Sequence, residues 1–204
     1  MHDLLGDSRG ERLPLGAYRE EFQKEFWAIK QDGFWKLERQ QTFKEPNNDS
    51  WQALVAGRWD EAMRLNEATR PDLMGYHRRI AMAGFGAWRV RVVEKPISPY
   101  LQWELHLLRI RHECGGPVRV VEPEQVKELE ENGPLPEIYT LGTKVMYQAV
   151  YDNEGALEAA IRYNNRKLIQ RCREAIRGLY EIGEDLSVFF ERDVAVLAPP
   201  ATVG

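Results

Sequence analysis

The side chains able to do chemistry gather where a strand pattern hands over to a helix pattern, in WRVRVVEKPISPYLQWEL. Arg91, Glu94, Ser98, Tyr100 and Glu104 fall there. Ser98-Pro99 starts a helix, with a hydroxyl at the N-cap and a proline at the first helical position. The free amides from Ser98 to Leu101 would favour an anion. Arg91 offers a forked donor to a phosphate or carboxylate, and Glu104 stands one turn beyond Tyr100 on the same side. The plainer alternative, an Arg91–Glu104 or Arg89–Glu94 ion pair that only orders the loop, is preferred because such pairs are common. Glu38, in LERQQTF, could line the same cleft if its strand neighbours the central one. Tyr147, Tyr151 and Asp152 form a third group, in which aromatic packing is the simpler reading.

Other chemistries find little support. There is no GxxxxGK[ST], GxGxxG, GxSxG, HExxH or CxxC. His106 and His112 are six positions apart, about 240° round a helix, so they do not face one ion. No metal and no cofactor is expected. Cys114 and Cys172 lie in helical apolar patterns and read as small buried hydrophobes. With 204 residues, 43% apolar content, six tryptophans and a net charge of −4, the chain suits one ordinary domain and gives no sign of general nucleic-acid binding. No apolar run reaches a membrane span, and the N-terminus lacks the pattern of a signal peptide, so a cytoplasmic protein is expected.

The elements that must position these groups follow from periodicity. Alternation over Trp88–Val93 predicts a strand; apolar three- and four-residue steps predict a helix from Pro99 to Cys114, ended by Gly115-Gly116. Val118–Val121 is the next strand. Before this unit come helices over 15–31, 51–56, 59–69 and 73–83, and a strand over 34–43; Arg70-Pro71-Asp72 reads as a break. After it come a short helix over 124–131, a hairpin of strands over 135–141 and 144–150, a long helix capped by Asn164 or Asn165, and a helical piece over 186–192. The fold class is therefore α/β: a mixed sheet with a central strand-helix-strand unit, N-terminal helical segments and a long C-terminal helix. A single domain spans 15–197, between a loose segment 1–14 and a frayed tail 198–204.

At FWKLERQQTF, RVRVVEKPISPYLQWEL, LPEIYTLG and YDNEGAL, from about Phe22 to Leu197, the chain resembles a large uncharacterised actinobacterial family. Its members often lie beside genes for small helix-turn-helix regulators, which implies such a regulator as partner. A more distant likeness is to one half of the phospholipase D-like fold. Catalytic members need a His-x-Lys pair followed by Asp; the comparable stretch, Glu137 to Asp152, keeps Lys144 and Asp152 but contains no histidine. That resemblance implies a non-catalytic relative. The expected function is a non-enzymatic regulatory module binding a small anionic ligand or a partner beside Arg91, Tyr100 and Glu104. An enzyme acting on a phosphate-containing or nucleotide-like substrate, with Glu104 or Glu38 as general base, is the second reading. A third is an obligate interaction subunit or homodimer, since Trp27, Trp51 and Trp59 exceed what one core needs.

Overall fold

Eight strands form one mixed sheet in the computed structural model, which describes residues 4–200. The strands are β1 (Glu11–Pro14), β2 (Phe34–Glu38), β3 (Ala87–Val92), β4 (Val118–Val121), β5 (Ile138–Leu141), β6 (Val145–Tyr151), β7 (Leu157–Tyr163) and β8 (Glu184–Asp185), in the order β1-β7-β6-β5-β2-β3-β4-β8. The central β2, β3 and β4 are parallel, and all other pairs are antiparallel. Helices α1 (Leu15–Trp27), α2 (Asp49–Val55), α3 (Trp59–Ala68), α4 (Arg70–Met82), α5 (Pro99–Glu113), α6 (Pro123–Val126), α7 (Arg166–Ile182) and α8 (Leu186–Phe189) complete the α/β fold. Three of them, α2 to α4, fill the crossover from β2 to β3, and α5 fills that from β3 to β4.

Alternation decides what each face carries. Trp35 and Leu37 of β2 and Val90 and Val92 of β3 point to α7, which answers with Leu168, Cys172, Ile176 and Leu179 at three- and four-residue steps. Trp35 and Trp88 stack at 4.4 Å between ring centres on this face. The other face presents Lys36, Glu38, Arg89 and Arg91. It is covered on one side by α1, which packs Tyr18, Phe22 and Phe26 on Tyr139 and Tyr147, and on the other by α5 and α8, whose Leu105, Leu108 and Phe189 meet Val118 and Val120. Trp103 Nε1 donates to Ser50 Oγ at 2.8 Å, and that hydroxyl donates to the Ala62 carbonyl, so α5 is tied to α2 and α3. Ridges of charge in a sheet covered on both faces are unusual, because parallel strands are ordinarily apolar throughout.

Several boundaries differ from those the sequence suggests. The segment expected to be loose, 1–14, contains β1, and Leu4 is buried with its carbonyl accepting from Arg171; residues 1–3 lie outside the described part. The tail expected at 198–204 has no regular structure over 198–200, yet Gln102 Nε2 donates to the Ala198 carbonyl, and the remaining positions are outside the described part. The strand read over 34–43 stops at Glu38. There Gln41 folds inward, donating to the Val92 carbonyl and accepting from Glu94 N, which draws the chain out of the sheet. Ser50, which would have been the cap of a helix beginning at Trp51, lies inside α2; the cap is Asn48, whose Oδ1 accepts from Ser50 N and Trp51 N. Arg70-Pro71-Asp72 opens α4 instead of breaking the chain, since proline at the start of a helix loses no hydrogen bond. Strand β7 was not apparent: Ala159-Ala160 weakens its pattern, and pairing with both β6 and β1 supplies what local preference lacks.

Candidate functional site

Glu38, Arg91 and Glu104 converge, as the sequence suggests, but in the protein interior. Arg91 is fully buried; its Nε and Nη2 both lie 2.9 Å from Glu104 Oε2, and Nη1 reaches the Val92 and Glu38 carbonyls. This is the ion-pair alternative. The companion Arg89–Glu94 pair does not form: Arg89 bonds Glu38 at 2.5 Å and Glu94 bonds Arg39 at 2.6 Å. Burial would raise the Glu38 carboxyl, yet the Arg89 and Lys36 cations overcome it and hold Glu38 well below the usual carboxylate range. Glu104 is pushed up, chiefly by burial and also by Glu38, against the pull of Arg91.

The helix start foreseen as an anion cradle is occupied by the chain itself. Ser98 Oγ accepts from Leu101 N as the N-cap, and donates to the Gln41 carbonyl. Tyr100 packs on Phe43 and donates to Glu45 at 2.8 Å. Of the residues singled out in the sequence, Glu38, Arg91, Ser98 and Glu104 line none of the principal cavities.

Glu94 does line one, a cleft of about 770 Å³ at the C-terminal ends of β2 and β3. Arg39 bridges Glu94 and Glu130 across its rim. Glu137 stands in its wall, with Oε1 accepting from Arg39 N and Gln40 N and Oε2 buried without a hydrogen-bond partner. Burial, reinforced by the Glu38 charge, pushes the Glu137 carboxyl up to about 7. Lys144 and Asp152 share no site: one precedes β6 and the other follows it, roughly 25 Å apart at the usual rise per residue. Lys144 pairs with Glu25, and Asp152 accepts from the amides of Glu154 and Ala156 in its own turn.

A second cavity, about 260 Å³, lies on the charged face of the sheet between α1 and α4. Its lining combines Lys36, Arg89 and Arg111 with a wall of Tyr18, Phe22, Phe26, Phe34, Tyr76 and Tyr139, and includes no Asp or Glu. The parallel register places Lys36 beside Arg89. Both share the single carboxylate of Glu38. Arg111, at the C-terminal end of α5, is driven down to about 10 by burial and by Arg89. His77, beside it, is buried and driven down to about 4, and its Nε2 has no hydrogen-bond partner. Gly116 makes room for that imidazole: a Cβ there would fall 2.4 Å from His77 Nε2.

The model of the family described as "Domain of unknown function (DUF6879)" matches residues 20–191. The chain belongs to that family. No curated protein matches it. The matched span begins inside α1 and contains the buried charge cluster and nearly all of the cation-lined cavity, Tyr18 excepted. Among the described residues of this family member, no helix is long and apolar enough to cross a membrane, and no group of three or more His, Cys, Asp or Glu is placed to hold a metal ion. His106 packs its ring on Trp59 and Phe190, and His112 Nδ1 accepts from Val118 N. Of the tryptophans read as surplus, Trp27 packs on Phe26 and Tyr76, and Trp51 and Trp59 lie against the cluster around Trp103; all three are half-buried.

Lys36, Arg89 and Arg111 were not singled out as site residues in the sequence. One signal was present. Arg111 follows Glu104 by seven positions, two helical turns, so it repeats the face on which a charged residue already points at the sheet. Lys36 and Arg89 carry no such mark, because nothing local says their strands are neighbours.

Proposed function

We propose that this domain is a non-enzymatic binding module that takes a small anionic ligand in the cavity between α1 and α4, and not at the start of α5. The observation that carries the reading is a lining with three cations and no carboxylate. Lys36 and Arg89 have one shared counter-charge behind them in Glu38, so the cavity keeps an excess of about two positive charges. Guanidinium groups in a partly desolvated site attract carboxylate or phosphate far more strongly than they do in water. A regulatory role, with a small helix-turn-helix protein as the partner that reads the ligand, is part of the same proposal. Native mass spectrometry of the protein purified from its source tests it. A retained anionic ligand, lost in Arg111→Met, supports the reading. If no mass is retained, and no anion of a broad metabolite set shifts the melting temperature, the reading is refuted.

One observation favours an enzyme as second reading. Glu137 titrates near neutrality in the wall of the larger cleft, as a general acid or base does. In this reading the acid–base group is Glu137, while Glu38 and Glu104 serve the buried charge cluster. A pH–rate profile on aryl esters and phosphate esters, with an inflection near 7 that Glu137→Gln removes, is the outcome this reading requires.

A further inference from the structure

We propose that the ligand of the cation-lined cavity is a small aromatic monocarboxylic acid, held ring-first against the aromatic wall with its carboxylate on Arg111 and Arg89. This inference rests on the anion-binding reading above and names its chemical class.

Size comes first. A cavity of about 150 Å³ holds benzene, with its six carbons. By that scale about 260 Å³ admits roughly ten non-hydrogen atoms. A benzene ring bearing an acid of one to three carbons, about nine to eleven such atoms, fits, whereas a nucleotide is too large.

The chemistry is divided between two ends. Phe22 and Phe26 lie on α1, and Tyr76 stacks nearly parallel to Phe26, with centres 5.9 Å apart and planes 15° apart. Such faces favour a flat ring. Lys36, Arg89 and Arg111 supply the polar end. Arg111 has no ion-pair partner among the described residues, and burial together with Arg89 weakens its hold on its proton. A carboxylate bound there relieves the repulsion between the two guanidiniums and accepts a forked hydrogen bond. A monocarboxylate is favoured over a phosphate because desolvation cost rises steeply with charge, and a dianion must surrender more hydration to enter a site walled by rings.

Isothermal titration of the full chain with phenylacetate, cinnamate, acetate, inorganic phosphate and benzyl alcohol tests the class. Phenylacetate or cinnamate should bind at least tenfold tighter than acetate, phosphate or benzyl alcohol. Arg111→Met should weaken the aromatic acids at least tenfold without weakening benzyl alcohol. Since that variant also removes a buried like-charge contact, its melting temperature should hold or rise, which separates lost binding from lost fold; Arg111→Lys should restore part of the affinity. If acetate or phosphate binds as well as the aromatic acids, the aromatic class is overturned and the anion site stands. If benzyl alcohol binds as well as the acids and Arg111→Met is indifferent, both are overturned. Absence of millimolar binding by any aromatic acid also overturns the inference, and the wider anion reading is then decided by the retained-ligand experiment.

Discussion

Removing Glu104 should cost this protein a large share of its stability, and removing Arg91 with it should return most of that share. Arg91 is completely inaccessible, and two of its nitrogens rest 2.9 Å from one oxygen of Glu104. In Glu104→Leu the guanidinium keeps two backbone carbonyls and the more distant charges of Glu38 and Glu137. Breaking a buried pair from one side typically costs about 3–5 kcal/mol. For a chain of this size that is a fall in melting temperature of roughly 6–20 °C. Burial pushes the Glu104 carboxyl up, the direction expected when a carboxylate gives up hydration. Arg91→Met with Glu104→Leu removes both charges and fills a similar volume, so the double variant should lie within about 2 kcal/mol of the parent, or above it. Urea unfolding of the two single variants and the double, followed by far-ultraviolet circular dichroism, measures the cycle. A single-variant cost below about 1 kcal/mol, or a double variant as weak as the worse single, would refute the assignment of this pair as the anchor of β3 to α5.

Three further outcomes follow from neighbouring residues. Glu137 has a native pKa of about 7 against an ordinary 4.5, so the folded state binds the extra proton; its contribution is full below about pH 4.5 and is lost as pH rises through 7. Glu137→Gln should therefore flatten the stability curve over that window, a change on the order of 3 kcal/mol in urea unfolding at successive pH values. His77 titrates the other way: its native pKa of about 4 lies below 6.5, so its contribution is present above pH 6.5 and is lost as pH falls towards 4, and His77→Gln should make acid unfolding less steep. Gly33 has φ +67°, and a Cβ there would sit 2.3 Å from the Trp88 ring and 2.7 Å from the Gly86 carbonyl. Gly33→Ala should cost about 2–4 kcal/mol by thermal unfolding, from left-handed strain and overpacking together.

The sequence by itself determined the local elements whose signals are local. Ser98-Pro99 starts α5, and the cap of α7 was narrowed to Asn164 or Asn165, of which Asn165 serves, because a cap needs only a side-chain oxygen and the next few amides. Alternation marked β3 and β4, and three- and four-residue steps marked α7. Even the Arg91–Glu104 pairing was readable, since the strand leads directly into the helix that packs on it. Other features waited for tertiary structure. β7 exists because β1 and β6 pair with it on either edge, and β2 ends at Glu38 because Gln41 bonds to β3 rather than continuing the ladder. The candidate site moved for the same reason. Lys36 and Arg89 become neighbours only through the parallel register, across more than fifty intervening positions, and Arg111 joins them only when α5 lies down on the sheet. Which cations face one cavity is set by strand order and helix docking, whose free energy comes from contacts between residues distant along the chain, and no local spacing encodes it.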